Sequence, residues 1–210
     1  MMEDYKDSWK SKAVFEKQLE LNIKELQGPM LPHWKAFLSF IKFIIEDGKT
    51  IKSLLDVGCG CGTFSRLLYT YFPDIEYTGI DYAAEAIEVA ARQWPFAKFK
   101  QGDYQDLSAA SISEFDVINA CSLHNVLPNG DAAVEYLLSL NPKFLILGKV
   151  LITDRESYYE TYQAYNEITT YKFFINYSWL RDQFLSNGYD VVEIKDDAIV
   201  SNFLLRKKDV

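Results

Sequence analysis

The chain of 210 residues is long enough for one large domain with a developed core and too short for two ordinary domains. Its hydrophobic content of 49% and charged content of 25% are typical of a folded globular protein and exclude an intrinsically disordered one. A formal net charge of -8 disfavours nucleic acid as a partner, because phosphate backbones are bound by basic patches.

The polar N-terminus and the cysteines indicate the setting of the protein. Met1 to Asp7 are too polar for a signal peptide, and no apolar run has the length of a membrane span. We therefore expect a cytoplasmic protein with no membrane partner. The three cysteines are odd in number and lack a Cys-x-x-Cys spacing, so we expect reduced thiols and no bound metal.

An N-terminal helical cap is predicted over residues 1–48. Apolar residues recur at helical spacing before the break at Gly28-Pro29, and from Trp34 to Ile45 they form a stripe at i, i+3, i+4, i+7 and i+11. Asp47-Gly48 ends this second helix. Residues 49–210 are predicted to form one domain, compactly joined to the cap.

Strands and helices alternate from residue 51 onward, which predicts right-handed crossovers and a parallel sheet. Strands are predicted at 51–57, 75–80, 97–101, 115–120 and 144–152, and helices at 63–72, 83–94 and 131–140. A tyrosine-rich helix is predicted at 154–174 and another at 178–186. The last two strands, 189–194 and 199–205, are joined by so short a connection that they must form an antiparallel hairpin.

The segment from Asp56 to Gly62 has the sequence Asp-Val-Gly-Cys-Gly-Cys-Gly and opens directly into a helical pattern. Glycines so spaced let a ligand lie almost against the main chain. The dinucleotide fingerprint Gly-x-Gly-x-x-Gly would need a third glycine at the position of Thr63. Asp-x-Gly-x-Gly-x-Gly instead resembles motif I of the class I methyltransferases that use S-adenosylmethionine, and Phe115-Asp116-Val117-Ile118 is similar to their motif IV.

The resemblance covers most of the chain, from about residue 50 to about residue 205. It implies an α/β fold with a Rossmann-like, doubly wound, seven-stranded sheet. This sheet is expected to be mostly parallel, with an antiparallel strand from the C-terminal hairpin and helices on both faces.

The resemblance also implies a site at the carboxyl ends of the strands. The glycine loop is expected under the methionine part of the cofactor, with Asp56 ordering the loop or holding the amino group. Asp81 is expected to bind the ribose hydroxyls, or else to cap the following helix. Asp103 is expected at the adenine amino group, with an ordinary turn or Asp106 as alternatives. The full cofactor set comprises Asp56, Gly58, Cys59, Gly60, Asp81, Tyr82, Gly102, Asp103, Tyr104, Ala120 and Cys121.

The residues for catalysis and for the methyl acceptor are less marked. His124 follows the fourth strand, where it acts as a general base or else packs over the adenosine or caps the helix at Asp131. Tyr158, Tyr162 and Tyr165 would share one face of the predicted helix, and aromatic residues also lie in the segment that family members often fold across the site; core packing is the alternative for both groups. The candidate substrate pocket comprises Trp9, Trp34, Asn125, Tyr158 and Tyr162, with Tyr5 and His33 nearby in sequence.

The expected function is transfer of a methyl group from S-adenosylmethionine to an oxygen or nitrogen of a small molecule, carbon being disfavoured, with S-adenosylhomocysteine as product. The chain lacks the Asn/Asp-Pro-Pro-Tyr sequence of enzymes that methylate amino groups of bases. The alternatives are an NAD(P)-binding oxidoreductase, supported by the general fold and Asp81, and a non-catalytic protein that binds S-adenosylmethionine. Both a monomer and a homodimer fit the sequence.

Overall fold

The computed structural model describes the backbone of residues 5–208 and the side chains of residues 7–208, so the side chain of Tyr5 lies outside the described part. The helices are α1 (Tyr5–Trp9), α2 (Lys12–Leu26), α3 (Pro32–Glu46), α4 (Thr63–Tyr71), α5 (Ala84–Gln93), α6 (Ala109–Ile112), α7 (Gly130–Ser139) and α8 (Tyr177–Ser186). The strands are β1 (Ser53–Val57), β2 (Glu76–Asp81), β3 (Lys98–Gln101), β4 (Val117–Cys121), β5 (Phe144–Thr153), β6 (Tyr158–Ala164), β7 (Ile168–Asn176), β8 (Tyr189–Lys195) and β9 (Val200–Lys207). Short 3-10 turns lie at Tyr104–Asp106 and His124–Val126.

The main sheet has parallel neighbours in the order β3-β2-β1-β4-β5. Strand β9 then pairs antiparallel with β5 on one side and with β8 on the other. These seven strands confirm the predicted doubly wound sheet, which is mostly parallel and has an antiparallel strand from the C-terminal hairpin. The carboxyl ends of β1, β2 and β4 consequently meet at one edge, where an open sheet of this kind binds its ligand.

The helix predicted at 154–174 is wrong, because this segment forms the hairpin β6-β7 and extends the sheet to nine strands. Its two strands pair antiparallel from Tyr158 opposite Phe174 to Ala164 opposite Ile168. Tyr165 and Asn166 in the turn have φ of 57 and 59, a left-handed geometry that suits a tight hairpin. The tyrosine, threonine, isoleucine and phenylalanine content favours strands, and this preference prevails over the helix-like spacing of the tyrosines.

Strand β5 changes neighbours along its length. It pairs with β4 as far as Gly148 and with β7 only from Ile152 onward. Between these segments, Lys149 has φ 55 and the register with β9 shifts. The sheet therefore splits at the carboxyl end of β4, and the space between β4 and β7 opens toward the functional edge.

Helices cover both faces of the sheet and position the site between them. On one face α3 packs through Phe37, Phe40 and Ile41 against β1, β4 and β5, and on the other face lie α7 and α8. Helix α2 packs on α5 beside the glycine loop through Phe15 and Leu19. No helix in the described part is both long and apolar enough to cross a membrane.

Candidate active site

The glycine loop between β1 and α4 bends back on β2. Gly58, Gly60 and Gly62 have φ of 71, 53 and 75, which only glycine adopts readily. The backbone N–H groups of Gly58 and Cys59 both donate to the carbonyl of Ile80 at 2.9 Å. A Cβ on Gly62 would lie 2.7 Å from the ring of Phe99, so this third glycine is required for packing.

Asp81 at the end of β2 joins the glycine loop to the start of α5. One carboxylate oxygen accepts from the Gly60 N–H and the other from the Ala83 N–H, both at 3.0 Å. Ala83 itself occupies the N-cap position, so Asp81 is not the cap of α5. The side chain is 7% exposed, and burial raises its pKa to about 6. Each oxygen keeps a second lone pair that can accept a hydrogen bond from a ligand.

Asp56 lies deeper in the same edge, within β1. Its two oxygens accept from the Tyr77 hydroxyl at 2.5 Å and from the Asn119 side-chain amide at 2.7 Å. Desolvation raises the pKa of Asp56 to about 7, and these two hydrogen bonds oppose the shift only in part. The Oδ1 atom of Asn119 is buried and has no hydrogen-bond partner among the described residues.

Two connected cavities open beside these carboxylates. The smaller, about 120 Å³, has acids and phenols on one side and leucines on the other; its lining includes Asp81, Tyr82, Asp103, Tyr104, Leu123 and Leu127. The larger, about 520 Å³, extends toward β5 and the β6-β7 hairpin. Both are lined by the residues at their junction: Trp9, Gln18, Gly58, Gly60, Cys121, Ser122 and Val126.

The N-terminal helices close the larger cavity from above. Gln18 accepts from the Cys61 N–H at 3.0 Å and donates to the Tyr165 hydroxyl at 3.1 Å, so it links the glycine loop to the hairpin turn. The Trp9 indole N–H donates to Thr170 Oγ1 on β7 at 3.1 Å. These contacts hold α1 and α2 over the site.

The structure brings most of the predicted site residues together. The cavity walls contain Asp56, Gly58, Cys59, Gly60, Asp81, Tyr82, Asp103, Tyr104 and Cys121 from the cofactor set, and Trp9, Trp34, Asn125 and Tyr162 from the substrate set. Ala120 is buried within β4, and Gly102 donates its N–H to the Asp81 carbonyl at 2.9 Å. Neither of these two residues lines a cavity. Asp103 also accepts from the Gln105 N–H at 3.1 Å, in the turn that was the alternative for it.

Tyr158 must be removed from the predicted substrate pocket. It is 38% exposed and stacks on Phe174 with ring centroids 4.8 Å apart, on the outer part of the hairpin. It belongs to a separate shallow pocket with Ile152 and Arg155. The expectation was wrong because it placed Tyr158 and Tyr162 together on a helix, whereas both lie on β6 and only Tyr162 reaches the large cavity.

His124 is also corrected, from a candidate base to a core residue. Its side chain is 0% exposed and lies outside both cavity walls, and burial lowers its pKa to about 4. Neither ring nitrogen has a hydrogen-bond partner within the described part of the chain. A general base must reach the proton that it removes, and this geometry gives His124 no such access.

Several cavity residues were missed by the sequence analysis, among them Gln18, Asn22, Lys149, Tyr171 and Lys172. Lys149 had a detectable signal, because it is the one charged residue in the run Phe-Leu-Ile-Leu-Gly-Lys-Val-Leu-Ile-Thr of β5. A charge inside a buried strand indicates either a bulge or a function. Gln18 had no such signal, since a glutamine on an exposed-looking helix is ordinary.

Comparisons with known proteins agree with this geometry. Residues 55–140 match the family model described as a methyltransferase domain. A malonyl-[acyl-carrier protein] O-methyltransferase of Halalkalibacterium halodurans is 28% identical over 120 residues, covering 54% of this chain and 44% of the relative. The chain thus spans less than half the length of that curated relative.

Solved structures show the same fold. Magnesium protoporphyrin IX methyltransferase from Synechocystis PCC 6803, solved with bound S-adenosylmethionine, has a TM-score of 0.59 and 16% identity over 84% of this chain and 80% of its own. Human N-acetylserotonin methyltransferase, also in complex with S-adenosylmethionine, has a TM-score of 0.68 and 15% identity over 99% of this chain and 60% of its own. Residues 55–140 thus match a methyltransferase domain, and the sheet order and glycine loop around them give the chain the fold of the S-adenosylmethionine-dependent methyltransferases.

Proposed function

We propose that the protein transfers a methyl group from S-adenosylmethionine to an oxygen or nitrogen atom of a small molecule. The observation that carries the proposal is the convergence of the glycine loop and the carboxylates of Asp56, Asp81 and Asp103 on two cavities that meet at Cys121. A cofactor in the smaller cavity and the loop would have its reacting end at this junction. The acceptor would enter from the larger cavity.

The residues present fit the cofactor. Asp81 has lone pairs left for the ribose diol, and Asp56, which lines the larger cavity, would face the amino-acid end. Leu123 and Leu127 would offer an apolar wall to the adenine, and Asp103, which lines the same cavity, would accept from its amino group. Bound S-adenosylmethionine supplies a methyl group on a sulfonium, which leaves as the neutral sulfide S-adenosylhomocysteine.

The chain contributes position rather than covalent chemistry. Trp34, Phe64 and Tyr162 form apolar surface for the acceptor, and holding its lone pair in line with the methyl group can contribute on the order of 7 to 11 kcal/mol. Asn125 lines the cavity, and its buried Oδ1 has no partner among the described residues, so it can accept a hydrogen bond from an acceptor hydroxyl or amine. Residues Trp9 and Gln18 close the junction against water.

An oxygen acceptor is favoured over nitrogen by the name of the curated relative, which is an O-methyltransferase. The cytoplasmic location, the division of the chain at residue 48 and a monomeric or homodimeric state stay predictions that accompany the proposal.

The test is calorimetric titration with S-adenosylmethionine, S-adenosylhomocysteine and NADH in parallel. We expect both sulfur compounds to bind and NADH not to. The reverse pattern, or no binding of either sulfur compound at about 1 mM, would reject the proposal in favour of other ligands. A second measurement incubates the protein with S-adenosylmethionine and a broad set of small hydroxyl, carboxyl and amine acceptors. If S-adenosylmethionine binds but no acceptor leads to S-adenosylhomocysteine, the non-catalytic alternative is favoured.

A further inference from the structure

We propose that the large cavity recognises an acceptor with a single carboxylate group, bound by Lys149 and Lys172. The inference rests on the proposed function only in taking this cavity as the acceptor site. Both lysines line the cavity, and they lie on the two strands that flank the split in the sheet.

Lys149 is held at this point by its backbone. Its N–H donates to Asn202 Oδ1 at 2.8 Å, and its carbonyl accepts from the side-chain amide of Asn125. A φ of 55 is unfavourable for lysine, at a cost of roughly 1 to 2 kcal/mol. The bulge therefore fixes the start of a charged side chain beside the cavity, in a strand that is otherwise apolar.

Lys172 lies at the matching position of β7. Ile152 in β5 pairs with Ile175 in β7, and each lysine lies three residues before the isoleucine of its own strand. The strands pair only from these isoleucines onward, so the two lysines flank the split just before the pairing begins, and both line the cavity between them. The Lys172 ammonium lies 5.3 Å from the centre of the Phe174 ring, which belongs to the separate shallow pocket, so binding an anion in the cavity would replace this contact.

The other charges of the cavity favour a single negative charge on the ligand. None of the described side chains forms an ion pair with Lys149. Asp196 lies within its electrostatic range, but Oδ1 of Asp196 accepts from the Asn202 amide at 2.8 Å. Burial, together with Lys149, lowers the pKa of His33 to about 4, so His33 is neutral at pH 7.

Two acids oppose the lysines: Glu25 lines the same cavity, and Glu160 lies directly opposite Lys172 in the β6-β7 hairpin, while the oxygens of Asp56 accept from Tyr77 and Asn119. This balance suits a monoanion better than a doubly charged phosphate. Phosphate is typically bound by the planar guanidinium of arginine or by a concave group of backbone N–H donors. Two lysines alone suit a carboxylate at least as well as a phosphate. The remaining wall is apolar and aromatic, with Leu21, Leu31, Trp34, Phe64, Leu151 and Tyr162. An aromatic or medium-chain carboxylic acid fits this surface.

The test compares acids with their uncharged amides: benzoate, 3-phenylpropionate and octanoate, each beside its primary amide, with S-adenosylhomocysteine present. Trp9 and Trp34 line the cavity, so quenching of tryptophan fluorescence reports binding, with calorimetry as a check. We expect at least one acid to bind about tenfold more tightly than its amide, and this preference to fall as salt is added. Inorganic phosphate is expected not to compete.

The variants assign the preference to the lysines. Lys149→Met and Lys172→Met should each weaken the acid about tenfold and leave the amide unchanged, whereas Lys149→Arg keeps the preference. Lys35→Met, on the exposed side of α3, removes a cation outside the cavity and is the matched control. Glu25→Gln should strengthen acid binding. Thermal unfolding of each variant shows whether a loss of acid binding comes from misfolding. If Lys149→Met does not fold, the result for Lys172→Met decides whether the lysines cause the preference for the acid.

Equal binding of every acid and its amide, absence of binding by all six compounds, retention of the preference in both methionine variants, or competition by phosphate would overturn the inference. If S-adenosylhomocysteine fails to bind while the acid preference persists without it, the proposed function fails and the carboxylate site stands. The two proposals are therefore separable.

Discussion

Replacing Asp56 with asparagine is expected to stabilise the free protein at neutral pH and to weaken cofactor binding. Asp56 is fully buried, and desolvation raises its pKa from 3.8 to about 7. Asparagine keeps both contacts, because its Oδ1 can accept from the Asn119 amide while its Nδ2 donates to the Tyr77 oxygen. The substitution therefore removes the cost of the buried charge with little change in packing.

The sign and size follow from proton linkage. In the unfolded chain Asp56 ionises near pH 3.8, whereas in the folded protein it holds its proton to about pH 7. The unfolded state thus binds fewer protons between these values, so this carboxyl makes stability fall as pH rises through that window. At about 1.4 kcal/mol per unit, the wild type should lose about 3 kcal/mol between pH 5 and pH 8 relative to Asp56→Asn.

The assay is denaturant unfolding of both proteins at several pH values from 5 to 8. Taking the difference between the two proteins cancels the titration of all other groups that behave alike in both. The difference in unfolding free energy should grow with pH by the stated amount, while affinity for S-adenosylmethionine falls about tenfold, because its amino group loses a charged neighbour. A difference that is constant across this range would refute the assigned burial of the charge.

Three further substitutions test single contacts. Gly62→Ala should destabilise by about 2 kcal/mol or more, because its Cβ would meet Phe99, whereas Gly48→Ala, with a similar φ and open space, should cost only about 1 kcal/mol in thermal unfolding; equal losses would contradict this. His124→Leu should leave thermal stability unchanged or higher, because two unpaired ring nitrogens are removed, and a large loss would point to a partner for the imidazole. Gln18→Ala should speed dissociation of S-adenosylhomocysteine about tenfold in stopped-flow measurements, because Gln18 links α2 to the glycine loop and to the hairpin turn. An unchanged rate would show that these contacts do not hold α2 over the site.

The cofactor side of the site could be predicted from sequence because it depends on local signals. The glycine spacing dictates a backbone conformation, and each acid that follows a parallel strand is carried to the same edge. Asp56 and Asp81 consequently line the two cavities at this edge, and their roles toward the cofactor stay predictions. The same reasoning failed for Ala120, since its side of β4 faces the core.

The acceptor side could not be predicted because it depends on contacts distant in sequence. The tyrosine spacing of the β6-β7 segment fits a helix as well as a strand, and its strand preference becomes decisive only when β7 pairs beside β5. Gln18 acquires its role from Cys61 and Tyr165, which lie far from it in the chain. His124 shows the reverse case. It was expected in the site because histidine is a common general base and follows the fourth strand, yet its side chain is buried in the core.

The most direct test of the cofactor assignment is calorimetric titration of S-adenosylhomocysteine into the wild type, Asp81→Asn and the control Asp106→Asn. Asp106 is an exposed acid near the same edge that lines neither cavity. We predict that Asp81→Asn weakens binding by roughly tenfold to a hundredfold, because the ribose diol loses a charged acceptor, and that Asp106→Asn does not. Binding to Asp81→Asn as tight as to the wild type would contradict the account.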